Sequence, residues 1–427
     1  MSGSFGDFVN RAQRSGRLVV QPRMGMSDPA AMRAGLRATR YADATTVGTI
    51  TLDSYTRMGD NASALAAVAT GTDLNGYPIA AHPAATTRAV LDGIASADFP
   101  VQDRHGSPMP EHIVRAMLAA GLHATEGGPV SYCLPYSRTP LGTAVRAWER
   151  SCDLLAEVGA ELGVLPHLET FGGCLMGQLC PPSLLVATSV LECLFFRQHG
   201  LRSVSLSYAQ QTNPEQDREA VLALRRLAAE LLPDVDHHVV IYAYMGVYPR
   251  TPTGARRLLA EAARLAVSTS AARLVVKTVA EAYRIPTIDD NVRALEAAAA
   301  AAGEPMESAV VPDTGIHAEA RALVSAVLDL GPDVGRALSD AFRLGYLDVP
   351  YCLHPDNAGR TRSHLDDTGR LRWSRIGSMP IRDTAGPVAS VELTSTSLLS
   401  ALSYVERRFD DAALDEYLTT RVGSTAR

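Results

Sequence analysis

Arg57 in Asp53-Ser54-Tyr55-Thr56-Arg57, Arg104 in Asp103-Arg104-His105-Gly106 and Arg146 in Ala144-Val145-Arg146-Ala147-Trp148 stand in three unrelated contexts. A guanidinium is a planar fork of donors that meets a carboxylate through two parallel hydrogen bonds, so three of them around one pocket imply an anionic, dicarboxylic ligand. Spacing alone does not make them converge, and each taken singly reads as a salt-bridged surface or supporting residue. Arg57 and Arg104 follow short apolar runs, Gly48 to Leu52 and Asp98 to Val101, that predict strands and so place both at strand ends. Arg146 falls in a loop-to-helix segment. Glu169 precedes Thr170-Phe171-Gly172-Gly173 and is expected to end a strand and face a barrel mouth, either open to a ligand or acting as an N-cap or an arginine's partner. Lys277 and Glu281 stand four apart after the strand Arg273 to Val276, on one face of a helical turn, the usual mark of a surface ion pair. Tyr132, Tyr136 and Tyr208 each offer an apolar wall and a hydroxyl, with a core position as the alternative. His82 and His105 read as core or turn residues.

The elements that must position these residues are readable over much of the chain. From Leu18 to Val276, β-branched runs alternate with helical patterns, the signature of βα units around a parallel sheet. Strands are expected at Leu18 to Gln21, Gly48 to Leu52, Ser203 to Ser207, His238 to Ile241 and Arg273 to Val276. Helices are expected at Pro110 to Ala120, Thr143 to Leu162, Pro182 to Gln198, Glu215 to Leu232, Thr253 to Ala266 and Asp289 to Ala302. A (β/α)8 TIM-type barrel over residues 1–303, with a short arm at 1–16, is the simplest architecture for that pattern. Gly303-Glu304-Pro305 ends the last of these helices, and 304–427 is expected to form a C-terminal α+β lobe with helices at Ile316 to Leu330 and Asp333 to Leu344.

Composition narrows the function classes. With 427 residues, 46% of them hydrophobic, the chain can bury a large core, and its net charge of −6 speaks against a nucleic-acid or anionic-membrane partner. The longest apolar run, Pro182 to Phe196, is too short for a bilayer and contains Glu192, so it reads as a buried helix. No positively charged leader opens the chain, which predicts a cytoplasmic protein. Cysteines at 133, 152, 174, 180, 193 and 352 show no C-x-x-C and no histidine at zinc spacing; they read as reduced interior thiols, and no metal site held by the protein alone is expected.

Ten short segments, in one order, resemble the barrel-forming subunit of coenzyme B12-dependent glutamate mutase, the E (epsilon) subunit of methylaspartate mutase. In the first half they are Gln21-Pro22-Arg23-Met24-Gly25, Asp53 to Arg57, Leu74-Asn75-Gly76-Tyr77-Pro78-Ile79, Arg104-His105-Gly106, and Glu126-Gly127-Gly128 with Ser131-Tyr132 and Pro135-Tyr136. In the second half they are Tyr244-Met245-Gly246, Lys277 to Glu281, Ile285-Pro286-Thr287, Leu347-Asp348-Val349-Pro350 and Asn357-Ala358-Gly359. The resemblance implies that Arg57, Arg104 and Arg146 clamp the substrate carboxylates and that Glu169 holds the substrate ammonium or takes its proton. It further implies that Lys277 and Glu281 contact the adenosyl ribose of adenosylcobalamin and that Asn357 lies at the cobalamin-facing rim. The match is poorest from Glu169 to Cys180, where the turn Phe171 to Gly177, which the resemblance places at the border of the substrate, differs in composition and length; the arm before Gly16 is short, a difference expected to bear on subunit contacts and to spare the barrel.

A B12-binding domain carries Asp-x-His-x-x-Gly, whose histidine becomes the lower cobalt ligand. Here Asp236-His237-His238 begins like it but continues into Val239-Val240-Ile241, so the cobalamin must be held mainly by a separate small subunit. The resemblance therefore implies an isomerase interconverting L-glutamate and (2S,3S)-3-methylaspartate by a radical mechanism, as a homodimer of this chain within a heterotetramer. Two other readings remain: the same mechanism on a different amino dicarboxylate, and a catalytically silent scaffold that docks a cobalamin-binding subunit.

Overall fold

The structure, a computed structural model, describes residues 4–175, 179–305, 311–386, 391 and 394–425, with side chains up to residue 414. The chain opens with α1 (Phe5–Arg14), β1 (Val19–Gln21), α2 (Pro29–Arg40) and β2 (Gly48–Thr51), then α3 (Ser54–Met58), α4 (Asn61–Thr70) and α5 (Ala84–Leu91). Alternation follows through β3 (Val101–Arg104), α6 (Glu111–Ala119), β4 (Ala124–Gly127), α7 (Leu141–Leu162), β5 (His167–Thr170), α8 (Pro182–Gln198) and β6 (Ser203–Ala209). It continues through α9 (Pro214–Leu231), β7 (Asp236–Tyr242), α10 (Pro252–Ser268), β8 (Arg273–Val275) and α11 (Ile288–Ala302). Beyond lie α12 (Ile316–Leu328), α13 (Val334–Leu344), the antiparallel pair β9 (Arg362–Leu365) and β10 (Leu371–Arg375), α14 (Ser395–Leu402) and α15 (Tyr404–Thr425).

Six parallel strands are laddered in the order β1-β8-β7-β6-β5-β4, so the first and eighth strands are neighbours, while β2 and β3 form their own parallel pair. That pair is tied in sparsely. Val20 bridges Thr46 and Thr51 N donates to Met24 O at 2.9 Å on one side; on the other, the Gln102 side chain donates to Thr125 O at 3.2 Å. The fold is thus α/β around a six-stranded parallel sheet, and the main-chain ladder does not run unbroken around the eight strands expected. At the β3/β4 seam a side-chain amide takes the place of ladder bonds.

Strand alternation separates two environments. In β6, Ser203, Ser205 and Ser207 face a polar interior: His167 of β5 bonds Ser203 Oγ at 2.9 Å and Ser205 Oγ at 3.0 Å. Val204, Leu206 and Tyr208 turn toward the helices and belong to the apolar core. Every residue of α8 from Pro182 to Phe196 is buried, because the sheet covers one side and α12 and α13 cover the other. The long apolar run is therefore the buried helix expected.

The N-terminal arm does more than the sequence suggests. A capping box, with Ser4 N to Asp7 Oδ2 at 3.0 Å and Asp7 N to Ser4 Oγ at 3.1 Å, starts α1, and its Phe5 ring stacks on His167 at 5.0 Å with the Arg273 guanidinium 5.0 Å away. A Cβ on Gly6 would lie 2.4 Å from Ser203 Oγ, so α1 is pressed against the amino ends of the strands as their floor.

Candidate active site

At the carboxyl half of the strands, inward-facing residues build a buried charged network. Arg104 Nε donates to Glu126 Oε2 at 2.6 Å, and its Nη2 donates to the Tyr242 hydroxyl at 3.2 Å. The Tyr242 hydroxyl lies between two carboxylates, donating to Glu126 Oε2 at 2.6 Å and touching Glu169 Oε1, while Tyr132 donates to Glu126 Oε1. A phenol has one proton to give, so it cannot satisfy both acids, and the guanidiniums of Arg104 and Arg273 complete the neutralisation. Burial pushes Arg104 toward losing its proton and Glu126 toward gaining one, but their mutual attraction prevails. Arg104 stays charged, and Glu126 is held below the usual carboxylate range.

Glu169 is an arginine's partner, one of its two expected kinds of role, and is not open to a ligand. It lies within β5, fully buried, and does not end the strand at the mouth. Its Oε2 receives Arg273 Nη2 and Ser205 Oγ, the latter at 3.1 Å, and Arg273 Nη1 reaches Gln21 and Gln102. The reason is register: Glu169 stands opposite Ser205, inside, where the buried Arg273 requires a counter-charge.

Two of the three arginines flank one turn. Arg104 is the last residue of β3; Gln102 and Asp103, which look like turn residues, are inside the sheet, so the strand runs three residues further than the apolar run suggested. Arg57 sits on α3, started by Asp53 Oδ1 accepting from Tyr55 N and Thr56 N at 2.8 and 3.0 Å. A Cβ added to Gly106, where φ is +82°, would lie 3.7 Å from Arg57 Nη1, so Arg57 lies against the turn that leaves Arg104. Arg57 Nε and Arg104 Nη1 are both buried and have no hydrogen-bond partner among the described residues. Arg57 and the half-exposed Tyr136 line a cleft of about 590 Å³ with His112 and Arg138. Beneath it, Tyr132 packs on His105 at 5.1 Å and on Phe171 at 5.2 Å, and burial pushes the His105 imidazole down to about 3, so it is neutral. A larger cavity, about 690 Å³, opens at the other end of the strands beside Phe5 and His123, away from every candidate residue.

Arg146 is not brought to this cluster. It lies in the second turn of α7, exposed, with Nη2 donating to Thr143 Oγ1 at 3.2 Å. Tyr208 also stands apart: its hydroxyl donates to Asp217 of α9 at 2.8 Å, on the helix side of the sheet. Asn357 spends its amide on its own loop, accepting from Val349 N at 2.8 Å and donating to Val349 O at 3.0 Å. The divergent turn Phe171 to Gly177 is described only to Leu175; Met176 and Gly177 lie outside the described residues.

Lys277 and Glu281 do meet, with Nζ and Oε2 3.6 Å apart, but not on an α-helix: Lys277 follows β8 and Glu281 lies in a 3-10 turn, Val279–Ala282. The amine faces the Tyr248 ring at 5.1 Å and is nearly sealed. Burial pushes its pKa down to about 8, with Glu281 resisting. Lysines and arginines number 40 in this chain, and Lys277 is the only lysine. That count was open to the sequence reading and was overlooked. Every other basic position accepts a guanidinium, whereas this one keeps a compact amine whose charge is adjustable.

Sequence reasoning also missed Glu126, Tyr242, Arg273 and Glu192 as site builders. Glu126 and Tyr242 had a signal, a polar group near the end of a predicted or motif-bearing strand. Glu192 had one in being the single charge inside the apolar run. It accepts from Val130 N at 3.1 Å, Ser131 N at 2.8 Å, Ser131 Oγ at 2.9 Å and Thr170 Oγ1 at 2.5 Å, fixing the turn that carries Tyr132. Gly127 precedes that turn at φ +132°, and a Cβ there would lie 2.5 Å from Trp148 and Tyr132.

A family model described as Methylaspartate mutase E chain (MutE) matches residues 1–398. The chain belongs to the methylaspartate mutase E chain family. Among its relatives, a protein named glutamate mutase epsilon subunit from Halobacterium salinarum is 34% identical over 350 residues, 78% of this chain and 72% of the relative. One of the same name from Escherichia coli O157:H7 is 30% identical over 350 residues, with the same coverage of 78% and 72%. Among solved structures, the YdjI aldolase from Escherichia coli K12 aligns over 71% of this chain and 94% of its own at 12% identity, with a TM-score of 0.35, a likeness too loose to carry an argument. In this E chain family member, Asp236-His237-His238 is the start of β7, and His238 is sealed against His167 at 5.1 Å. No helix among the described residues is long and apolar enough to cross a membrane.

Proposed function

We propose that this chain is the substrate-holding subunit of an adenosylcobalamin-dependent mutase that interconverts L-glutamate and (2S,3S)-3-methylaspartate with a separate cobalamin-binding subunit. In this reading the two parallel sheets act together as a (β/α)8-type barrel, residues 1–303, with 304–427 as an appended lobe. The observation that carries it is the pair of unpartnered guanidinium nitrogens, Arg57 Nε and Arg104 Nη1, at one mouth of a family member. Buried donors without acceptors are rare in folded proteins, and an anionic ligand satisfies both.

The adenosyl group fits the Lys277–Glu281 corner, because a donor and an acceptor 3.6 Å apart are too far for a strong mutual bond and keep capacity for vicinal hydroxyls. When bound, the cofactor supplies the radical that removes a hydrogen from the substrate. The chain's own residues orient and exclude. Arg57 and Arg104 hold one carboxylate, and Arg146, which bonds only Thr143 in the hydrogen bonds described, would complete the clamp on the other. Tyr132 and Tyr136 wall the substrate, whereas Tyr208, bonded to Asp217 on the helix side of the sheet, is left outside the pocket. Glu169, kept as the candidate base, acts on the ammonium only through the Tyr242 hydroxyl. Asn357 holds the rim loop that would meet the cobalamin. Solvent exclusion then falls to Phe171 and Tyr132, which close the cleft floor.

Proton NMR of L-glutamate incubated with this chain, a small Asp-x-His-x-x-Gly subunit and adenosylcobalamin should show the 3-methyl doublet of methylaspartate. Turnover of another amino dicarboxylate but not glutamate would move the assignment to that substrate. No turnover of any, with the two subunits tightly associated, would leave the scaffold reading.

A further inference from the structure

Lys277 is held in place by a part of the chain far from it in sequence. The Tyr248 ring that faces the amine belongs to the connection between β7 and α10, and α15 packs over that connection. Val405 and Phe409 of α15 share an apolar cluster with Tyr244 and Tyr248, and Val279, two residues past Lys277, packs against the same cluster. Asp410 accepts from Arg250 N at 2.8 Å, Thr251 N at 2.9 Å and Thr251 Oγ1 at 2.6 Å, clamping the two residues that lead into α10. Glu406 pairs with Arg250 Nε at 2.7 Å, and the Tyr283 hydroxyl donates to Arg250 O at 2.7 Å, which binds the connection to the segment that bears Glu281. The α15 residues in these contacts, Val405 to Asp410, lie beyond residue 398, where the family match ends.

We propose that Val405 to Asp410 of α15 is a positioning element that holds Tyr248 against the Lys277 amine and keeps water from it. The geometry is specific: one carboxylate fixes three donors at the end of the connection, and two apolar side chains fix its middle. The groups facing the amine are Glu281 from the 3-10 turn, Arg23 from the segment after β1, and Tyr248. Arg256 of α10 and Asp290 and Arg293 of α11 share with it a cavity of about 270 Å³. None of these belongs to α15, so α15 acts on Lys277 through packing and not through charge.

Being the only lysine makes the amine directly readable. Trace acetylation of the intact chain across pH 6 to 11 (about the range in which an amine titrates), followed by mass analysis of the Lys277 peptide, gives its labelling midpoint, expected near 8 in the wild-type chain. Asp410→Ala should raise that midpoint by roughly one pH unit, because admitting water relieves the desolvation of the ammonium. Tyr248→Leu should shift it in the same direction, and Asp410→Asn, which keeps an acceptor oxygen, should restore most of the wild-type value. A midpoint unchanged in Tyr248→Leu and in whichever of Asp410→Ala and Phe409→Leu remains folded overturns the proposal. What Lys277 contacts during turnover rests on the cofactor reading above; the labelling uses no cofactor, so the two can fail separately.

Discussion

Arg104 and Arg273 occupy similar interiors but divide their work differently. Arg273 spends both terminal nitrogens on Glu169, Gln21, Gln102 and Ser205 and has only Nε without a partner among the described residues, whereas Arg104 leaves a terminal nitrogen, Nη1, open. Replacing Glu169 by Gln therefore strips the counter-charge from a fully buried guanidinium, and a loss of about 3–5 kcal/mol in urea denaturation is expected. Unchanged stability would free Glu169 for a purely chemical role. Arg57→Lys and Arg146→Lys keep the charge and lose the fork; each should fold normally and lower kcat roughly 100-fold in the reconstituted enzyme. Because Arg146 is exposed and bonded only to Thr143 among the hydrogen bonds described, the comparison is informative: wild-type kinetics for Arg146→Lys alone would confine the clamp to Arg57 and Arg104.

At the level of elements, α8 governs the turn between β4 and α7 through Glu192. Burial pushes this carboxyl up to about 7 from 4.5, against four hydrogen bonds that favour the ionised form. The folded state thus binds a proton that the unfolded chain releases first. Its contribution is full below pH 4.5 and is lost as pH rises to about 7; Asp217, also pushed up to about 7, acts in the same direction. Denaturation midpoints should fall between pH 5 and pH 8, about the interval bounding these shifts. Glu192→Gln should flatten part of that slope, since the Ser131 and Thr170 hydroxyls can turn to accept from the amide. An identical slope in the variant would assign the dependence elsewhere.

Legibility at this scale followed polarity. α8, α9, α10 and α11 were readable because apolar periodicity survives where a helix lies on a sheet. β3 was displaced by three residues and β4 was not found, since Gln102, Asp103, Arg104 and Glu126 are strand residues that face a polar interior and carry no hydrophobic signal. For the same reason the sequence singled out Arg57, Arg104 and the Lys277–Glu281 pair, which stand in recognisable motifs, but neither Arg273 nor Tyr242. Motif resemblance points to groups expected to meet ligands, and says nothing of the charges that hold those groups.

Across the whole molecule, a floor from α1 and a strap from α15 bracket the parallel sheets, so segments near both ends of the sequence bear on the interior. The uniqueness of Lys277 turns this arrangement into a proteolytic probe. A lysine-specific endoproteinase can cut this chain at one bond, Lys277–Thr278, parting β8 from everything after it. With Lys277 only 8% exposed, the native chain should resist, and the single cut should appear only through opening of the strand end. Its rate against urea concentration would report the free energy of that opening if reclosing is fast. A bound ligand at this corner should slow the cut further, so scission of one peptide bond could rank candidate cofactors without a turnover assay.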